Sequence, residues 1–353
     1  MTKAAELAAL IGGQKALSNK NLIINGAMQV AQRGTSFADP SDQTYSLDRM
    51  HIFNSNDGAT TITQDSTVPS GEGFYNSMKF DVTTADGTIA AGQYIAPNQR
   101  IEGKNHAILG YGTSGAKPIA VSFYAKSNLT GTFNYSVRNS AANRAYIKEF
   151  SLASANTWER ISFTIPGDTG GTWLTTNGVG AYHQISLSMG STFQGTANQW
   201  NTSNVVATSN QVNFLSSTDN EFFLTGWQVE IGEVATPFEH RTFEAELAAC
   251  QRYFVQLLKA DSTKELVISG AQSGATNFNA FLPDAMRAAP TITWPTSSGV
   301  RGEGTTVNIS SIASTMDTDN YVHFNCTIAS GLTANTASFA YAFQGATTLS
   351  AEI

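Results

Sequence analysis

Charge is scarce in this sequence. Only 13% of its 353 residues are Asp, Glu, Lys or Arg, where about a quarter is usual, and no run of Lys and Arg stands anywhere along it. With 20 basic residues against 27 acidic ones, the net charge is -7. A nucleic-acid partner is therefore not expected, since a phosphate backbone needs clustered cations. Cysteine is nearly missing as well. Cys250 and Cys326 are the two present, and their separate apolar settings read as two buried thiols rather than a disulfide. No stretch approaches eighteen consecutive apolar residues, so no membrane insertion is predicted. The N-terminus lacks the charged and apolar regions of an export signal, which predicts a soluble protein that is not exported that way.

Catalytic signatures are missing too. There is no G-x-S-x-G, H-E-x-x-H, G-x-x-x-x-G-K or C-x-x-C, the spacings that place a nucleophile, a metal or a phosphate. The five histidines, His51, His106, His183, His240 and His323, are scattered, with no two spaced to share a metal. No catalytic residue and no cofactor is expected, and the protein reads as a non-enzyme.

What is abundant is Gly, Ser, Thr and Asn, the composition of short strands joined by many turns. Near-alternate apolar positions mark strands at Met78 to Val82, Ile119 to Ala125, Phe133 to Val137, Ile161 to Ile165, Ile185 to Met189 and Phe222 to Ile231. Turn clusters such as Asp39-Pro40-Ser41-Asp42 and Gly167-Asp168-Thr169-Gly170-Gly171 lie between them. So many antiparallel candidates, without crossover helices, predict a mainly β protein, a two-sheet sandwich or jelly roll. Residues 2 to 17 carry Ala4, Leu7, Ala8 and Ile11 on one stripe and predict a short helix, which is marginal alone and must pack on its own domain or act as an anchor. From Arg241 the apolar period lengthens through Phe243, Leu247, Cys250 and Phe254, a helical spacing with Thr242 as its N-cap. The expected organisation is a helical anchor at 1–20, a jelly-roll domain at 21–240, a junction helix at 241–258 and a second β domain at 259–353.

Four segments carry a family resemblance. They are NLIINGAMQVAQRGTS at Asn21 to Ser36, SLDRM at Ser46 to Met50, VSFYAKS with NTWERISFTIPGD at Val121 to Ser127 and Asn156 to Asp168, and TGWQVEIGEVATPFEHRTFEAELAACQRYF ending at Phe254. Together they resemble a family of bacteriophage and prophage tail-fibre or minor tail proteins whose main domain is a jelly roll similar to carbohydrate-binding modules. Where the family carries Trp after the Asp-Arg pair, this chain has Met50. The resemblance implies a virion protein made in a bacterial cytoplasm, attached to other virion proteins through its N-terminal segment and assembled as a homotrimer. It also implies contact with the host surface and names no ligand; receptor binding to a surface polysaccharide is the expected work, with a purely structural fibre or decoration subunit, or a glycan depolymerase or esterase, as the alternatives. Gln29, Arg33, Asp48 and Arg49 match the family motif, and an arginine fork there can fasten one sheet edge to another. Glu239, Arg241 and Arg252 suit the same task.

A glycan site needs aromatic platforms beside polar side chains, because a sugar offers an apolar face and a rim of hydroxyls. Trp173 in GGTWLTTNG and Trp200 in GTANQWNTSN stand in turn-like surroundings, where loop packing and ligand contact are both open readings. Tyr111, Tyr182 and Tyr75 are further candidates, whereas Trp158 and Trp227 lie in strand patterns and read as core. Trp294, Arg301 and Tyr321 could border a site in the C-terminal region. The carboxylates Asp39 with Asp42, Glu72, Asp317 with Asp319, and Glu230 with Glu233 suit a glycosidase by type alone, but most sit in turns, where Asp favours capping the backbone. Asp317-Thr318-Asp319-Asn320 matches part of a calcium loop while lacking its Gly and distal Glu, so a structural Ca²⁺ is a secondary expectation. Sequons such as Asn128-Leu129-Thr130 are chance matches in an Asn/Ser/Thr-rich chain.

Overall fold

The structure is a computed structural model that describes residues 20–258, 265–274, 277–294, 298–302, 305–316, 321–328, 337–343 and 346–353. The expected N-terminal helix and the Asp317 to Asn320 loop lie outside them. The described residues fall into two compact units that divide after Thr242.

The first unit contains β1 (Ser36–Ala38), β2 (Thr44–Tyr45), β3 (His51–Ser55), β4 (Ala59–Asp65), β5 (Ser77–Thr84), β6 (Tyr94–Glu102) and β7 (Ile119–Ser127). It continues with β8 (Gly131–Asn139), β9 (Ala145–Leu152), β10 (Glu159–Ile165), β11 (Val179–Ser186), β12 (Ser188–Met189), β13 (Trp200–Asn201) and β14 (Glu221–Ile231). One sheet runs β1-β4-β5-β14-β7-β10, and the other runs β13-β9-β8-β11-β6-β3-β2 with β12 paired to β6. Neighbouring strands are antiparallel, and the expected β-sandwich is what forms. Strand β8 shows the logic. Phe133, Tyr135 and Val137 enter the core, while Asn134, Ser136 and Arg138 stand on the face turned away from it. Both faces of this sheet therefore carry information, one apolar and one polar.

The core centres on β14. Trp227 is fully buried there and meets Tyr135 edge to face at 6.1 Å. Its indole Nε1 donates to the Tyr135 hydroxyl at 3.4 Å, and Tyr135 lies 2.8 Å from His183 Nδ1. The segment Asn21 to Met28 crosses β14 as a latch: Leu22 N–H donates to the Val229 carbonyl, Trp227 N–H to the Gly26 carbonyl, and Asn21 Nδ2 to the Trp227 carbonyl at 3.0 Å. Two of the resembling segments thus meet at this crossing. Met50 is fully buried. Beside it, Asp48 accepts from Gln32 N–H at 2.6 Å and faces Arg33 at 3.8 Å, while Arg49 Nη2 donates to the Arg100 carbonyl. Arg241 binds the Asn21 carbonyl at 2.9 Å and Glu239 at 3.0 Å. These charges fasten segments of this unit to one another. Trp158 is half-buried against Phe223, 6.1 Å between rings, immediately before β10.

In the second unit the helix spans Phe243–Gln251. The expected junction helix is shorter than its span 241–258, because Phe254–Leu258 forms strand β15 instead, pairing with Thr347–Ser350. The remaining strands are Glu265–Gly274, Asn277–Ala285, Thr291–Thr293, Ser298–Gly302, Thr305–Met316, Tyr321–Ile328 and Ala337–Phe343. A three-stranded sheet holds β15, Thr347–Ser350 and Thr291–Thr293, and the other six strands close into a barrel. Cys250 and Cys326 are both free, buried thiols of this unit. Burial pushes the Cys326 thiol up to about 12, so it behaves as a packing group. Trp294 packs, partly buried, on the barrel core.

Candidate functional site

Three of the four candidate aromatics come together. Ring centroids are 5.0 Å apart for Tyr111 and Trp173, and 5.7 Å for Trp200 with either of them. The His106 ring stacks on Trp173 at 5.1 Å, and Tyr146 meets Trp200 at 5.3 Å. Trp173 and Tyr111 are only 6% and 7% exposed, so their ring faces are spent on one another. The loop GGTWLTTNG is folded in, and loop packing is the reading the geometry gives for both. Asp168 explains why it folds in. Its buried carboxylate takes Trp173 Nε1–H at 3.1 Å, Gly170 N–H at 3.1 Å and the Nε–Nη2 edge of the Arg144 guanidinium. Trp200 is half-buried, with its Nε1 donating to the Pro166 carbonyl at 3.1 Å. Asp168→Ala is expected to cost about 2 kcal/mol in urea unfolding. That is below the full loss for a buried pair because Arg144 is partly solvated.

Tyr182 is elsewhere. It stands on β11 between Arg100 of β6 and Arg138 of β8 in one cross-strand row, on the face of the larger sheet turned away from the core. The segment from Met189 to Val206 folds back over this face and leaves a cavity of about 130 Å³. Phe53, Tyr94, Arg138 and Gln184 line it from the strands, and Met189, Phe193, Asn204 and Val206 from the covering segment. The aromatic walls are fixed by one another: Phe53 to Tyr94 at 6.0 Å, Tyr94 to Phe193 at 5.2 Å, Phe53 to Tyr182 at 6.3 Å. Burial, and then a hydrogen bond to Asp42 at 2.9 Å, raises the Tyr94 hydroxyl to about 12, so it stays protonated and pinned. The Arg138 guanidinium lies 4.6 Å from the Tyr182 ring, a cation–π contact, and Nη1 donates to Asn204 Oδ1. The next row holds Asn98, Gln184 and Ser136 side by side. Asn98 Oδ1 and Ser136 Oγ are buried there without partners. A second depression of about 290 Å³, lined mostly by Gly, Ser, Gln and Asn, shares Met189 with the first.

No family model matches this sequence. No curated protein matches it either. Solved structures do. A carbohydrate-binding module of family 4 is 14% identical over 59% of this chain and 98% of its own, with a TM-score of 0.31. A family 11 carbohydrate-binding module from Clostridium thermocellum, in complex with a β-1,3-1,4-mixed-linked tetrasaccharide, is 10% identical over 58% of this chain and 98% of its own, with a TM-score of 0.28. The module TmCBM61 in complex with β-1,4-galactotriose is 9% identical over 61% of this chain and 99% of its own, also at 0.28. These overlaps are loose, and any functional reading has to stand on the pocket itself.

None of the pocket's eight lining side chains is a carboxylate, an imidazole or a serine. Three of the acids that suited a glycosidase by type are hydrogen-bonded within the fold. Asp42 takes the Asn54 N–H as well as Tyr94, Glu72 takes the Tyr124 hydroxyl at 2.7 Å, and buried Glu230 takes Thr236 N–H at 2.7 Å and faces Lys20 at 3.8 Å. Among the described residues, no group of three His, Cys, Asp or Glu could hold a metal ion. Phe53, Tyr94, Arg138, Gln184, Phe193 and Asn204 were not singled out in the sequence. For Arg138 and Gln184 the one signal was the polar phase of β8 and β11, where Asn134, Ser136, Arg138 and Tyr182, Gln184, Ser186 alternate with core residues.

Proposed function

We propose that this protein is an adhesion subunit of a bacteriophage virion, a homotrimeric tail or fibre protein that grips a host surface polysaccharide without cleaving it. The observation that carries the glycan part is the pocket: an aromatic wall of Phe53, Tyr94 and Phe193 facing Arg138, Gln184 and Asn204. An apolar wall opposite convergent hydrogen-bonding groups suits a sugar ring, which is apolar on its faces and polar at its rim. At about 130 Å³ it lies below the 300–1,000 Å³ range of drug-sized ligands. One ring seated per copy gives a weak contact, and three copies multiply it into avidity. The virion, the trimer and attachment through the N-terminal segment rest on the tail-protein resemblance.

The test is retention of the full chain on immobilised bacterial surface polysaccharides, with Phe193→Ala beside the native protein. The native protein is expected to be retained on at least one polysaccharide and to leave its chain length unchanged. The variant, with an unaltered unfolding midpoint, is expected to lose retention about tenfold. Retention indifferent to Phe193, absence of retention throughout, or release of oligosaccharide would contradict the proposal. Sedimentation should give a particle of about three times the 37.6 kDa chain; a monomer would remove the trimer.

A further inference from the structure

Arg138 stands in the pocket with no carboxylate bound to it among the described residues. Its Nη1 binds a neutral amide, Asn204, and its Nε is buried with no partner. Its other neighbours are the rings of Tyr182 and Phe53, 4.6 and 5.9 Å from the guanidinium carbon. Arg100, one position away across Tyr182, adds a second positive charge 5.5 Å from the same ring. Burial first, and then Arg100, works against the charged form of Arg138, yet a guanidinium does not give up its proton in a protein. A half-buried cation with no counter-ion among the described residues is costly to the free protein. Two carboxylates on this side of the sheet are bound to other groups. Asp42 is committed to Tyr94 and the Asn54 N–H, and Glu149 to Thr208 and Asn210.

We infer that the ring seated in this pocket is an acidic sugar, with its carboxylate on the Arg138 guanidinium and its apolar face against Phe53, Tyr94 and Phe193. This rests on the glycan-binding reading and narrows it. A planar carboxylate matches the guanidinium edge left free of Asn204 and forms charge-assisted bonds that a hydroxyl cannot equal. Gln184 and Asn204, which line the cavity, supply donors and acceptors for the ring hydroxyls. The chain's net charge of -7 gives no long-range pull on a polyanion, so recognition is made at this contact alone and weakens little with salt.

Calorimetric titration of the full chain with oligogalacturonate, oligoglucuronate and oligomannuronate tests it, each beside its carboxyl-reduced neutral counterpart and a sulfated analogue of that counterpart. At least one uronate is expected to bind about tenfold tighter than its reduced form. Arg138→Gln should erase that ratio by weakening the uronate far more than the reduced form, and Arg138→Lys should keep part of it. Should Arg138→Gln fail to fold, the native protein's ratio decides. Equal affinity for acidic and reduced forms overturns the acidic assignment and leaves glycan binding standing. A preference for the sulfated analogue overturns the carboxylate. Binding to none of them, together with no retention on any surface polysaccharide, overturns both readings.

Discussion

At pH 5 the first unit is expected to be about 6 kcal/mol less stable than at pH 8 through three histidines alone. His51, His106 and His183 are each at most 1% exposed. Burial lowers all three from 6.5, to about 3, 4 and 3 respectively, with Arg100 adding to the effect on His51 and His106 to that on His183. The unfolded chain takes up protons on them below pH 6.5 and the folded chain does not. Their stabilisation is therefore complete above 6.5 and is lost as the pH falls towards the folded values. At pH 5 each forfeits about 2 kcal/mol, and the sum rivals the whole stability of an ordinary domain, about 5–15 kcal/mol. Urea unfolding followed by tryptophan fluorescence reads this unit, because Trp158, Trp173, Trp200 and Trp227 lie in it. His106→Phe keeps the stack on Trp173 and removes one titrating group, so its pH 5 loss should shrink to about 4 kcal/mol. A midpoint flat between pH 8 and 5 would mean these imidazoles are hydrated.

Gly26→Ala is expected to destabilise the first unit by about 4 kcal/mol, at the severe end for one added methyl. A Cβ at Gly26 would stand 2.1 Å from the Trp227 carbonyl oxygen and 3.3 Å from Asn21 Nδ2. The obstacle at the first contact is backbone, which has no rotamer to yield. Relief requires the latch to lift off β14. That breaks the Trp227 N–H to Gly26 bond at 2.9 Å, strains the Asn21 bond to the same residue and wets the largest fully buried side chain. Gly92→Ala is the control, since nothing lies within 4 Å of its added methyl, and it should stay within about 0.5 kcal/mol. Similar denaturation midpoints for the two variants would show that the latch is not what holds the sandwich closed.

The sandwich was legible where alternation was clean, and hidden where polar residues are buried. Strand β6 reads YIAPNQRIE, with Asn98 and Gln99 fully buried and a proline that ordinarily argues against a central strand. Pro97 is tolerated where the neighbour of β6 changes from β11, through Asn98 and Gln184, to β12, through Ile95 and Ser188. That is a long-range arrangement no local pattern carries. Strand β15 was hidden for the same reason, since Phe254–Leu258 is fixed by a partner near residue 348. Turn-rich composition placed Trp173 and Tyr111 in loops, and it could not tell that those loops fold inward on Asp168. Of the four candidate aromatics, Tyr182 alone borders the pocket, by its contacts with Arg138 and Phe53. The roof of that pocket, Met189 to Val206, lies in weak, turn-rich sequence. Its place over the sheet is a tertiary fact.

The most direct measurement is a crystal structure of the full chain soaked with the oligosaccharide it binds best. The pocket account requires an intact sugar ring stacked between Phe53, Tyr94 and Phe193, with an oxygen of its acidic group within hydrogen-bonding distance of Arg138. A ring seated on Trp200 with this cavity empty, or a cleaved product anywhere on the molecule, would contradict it.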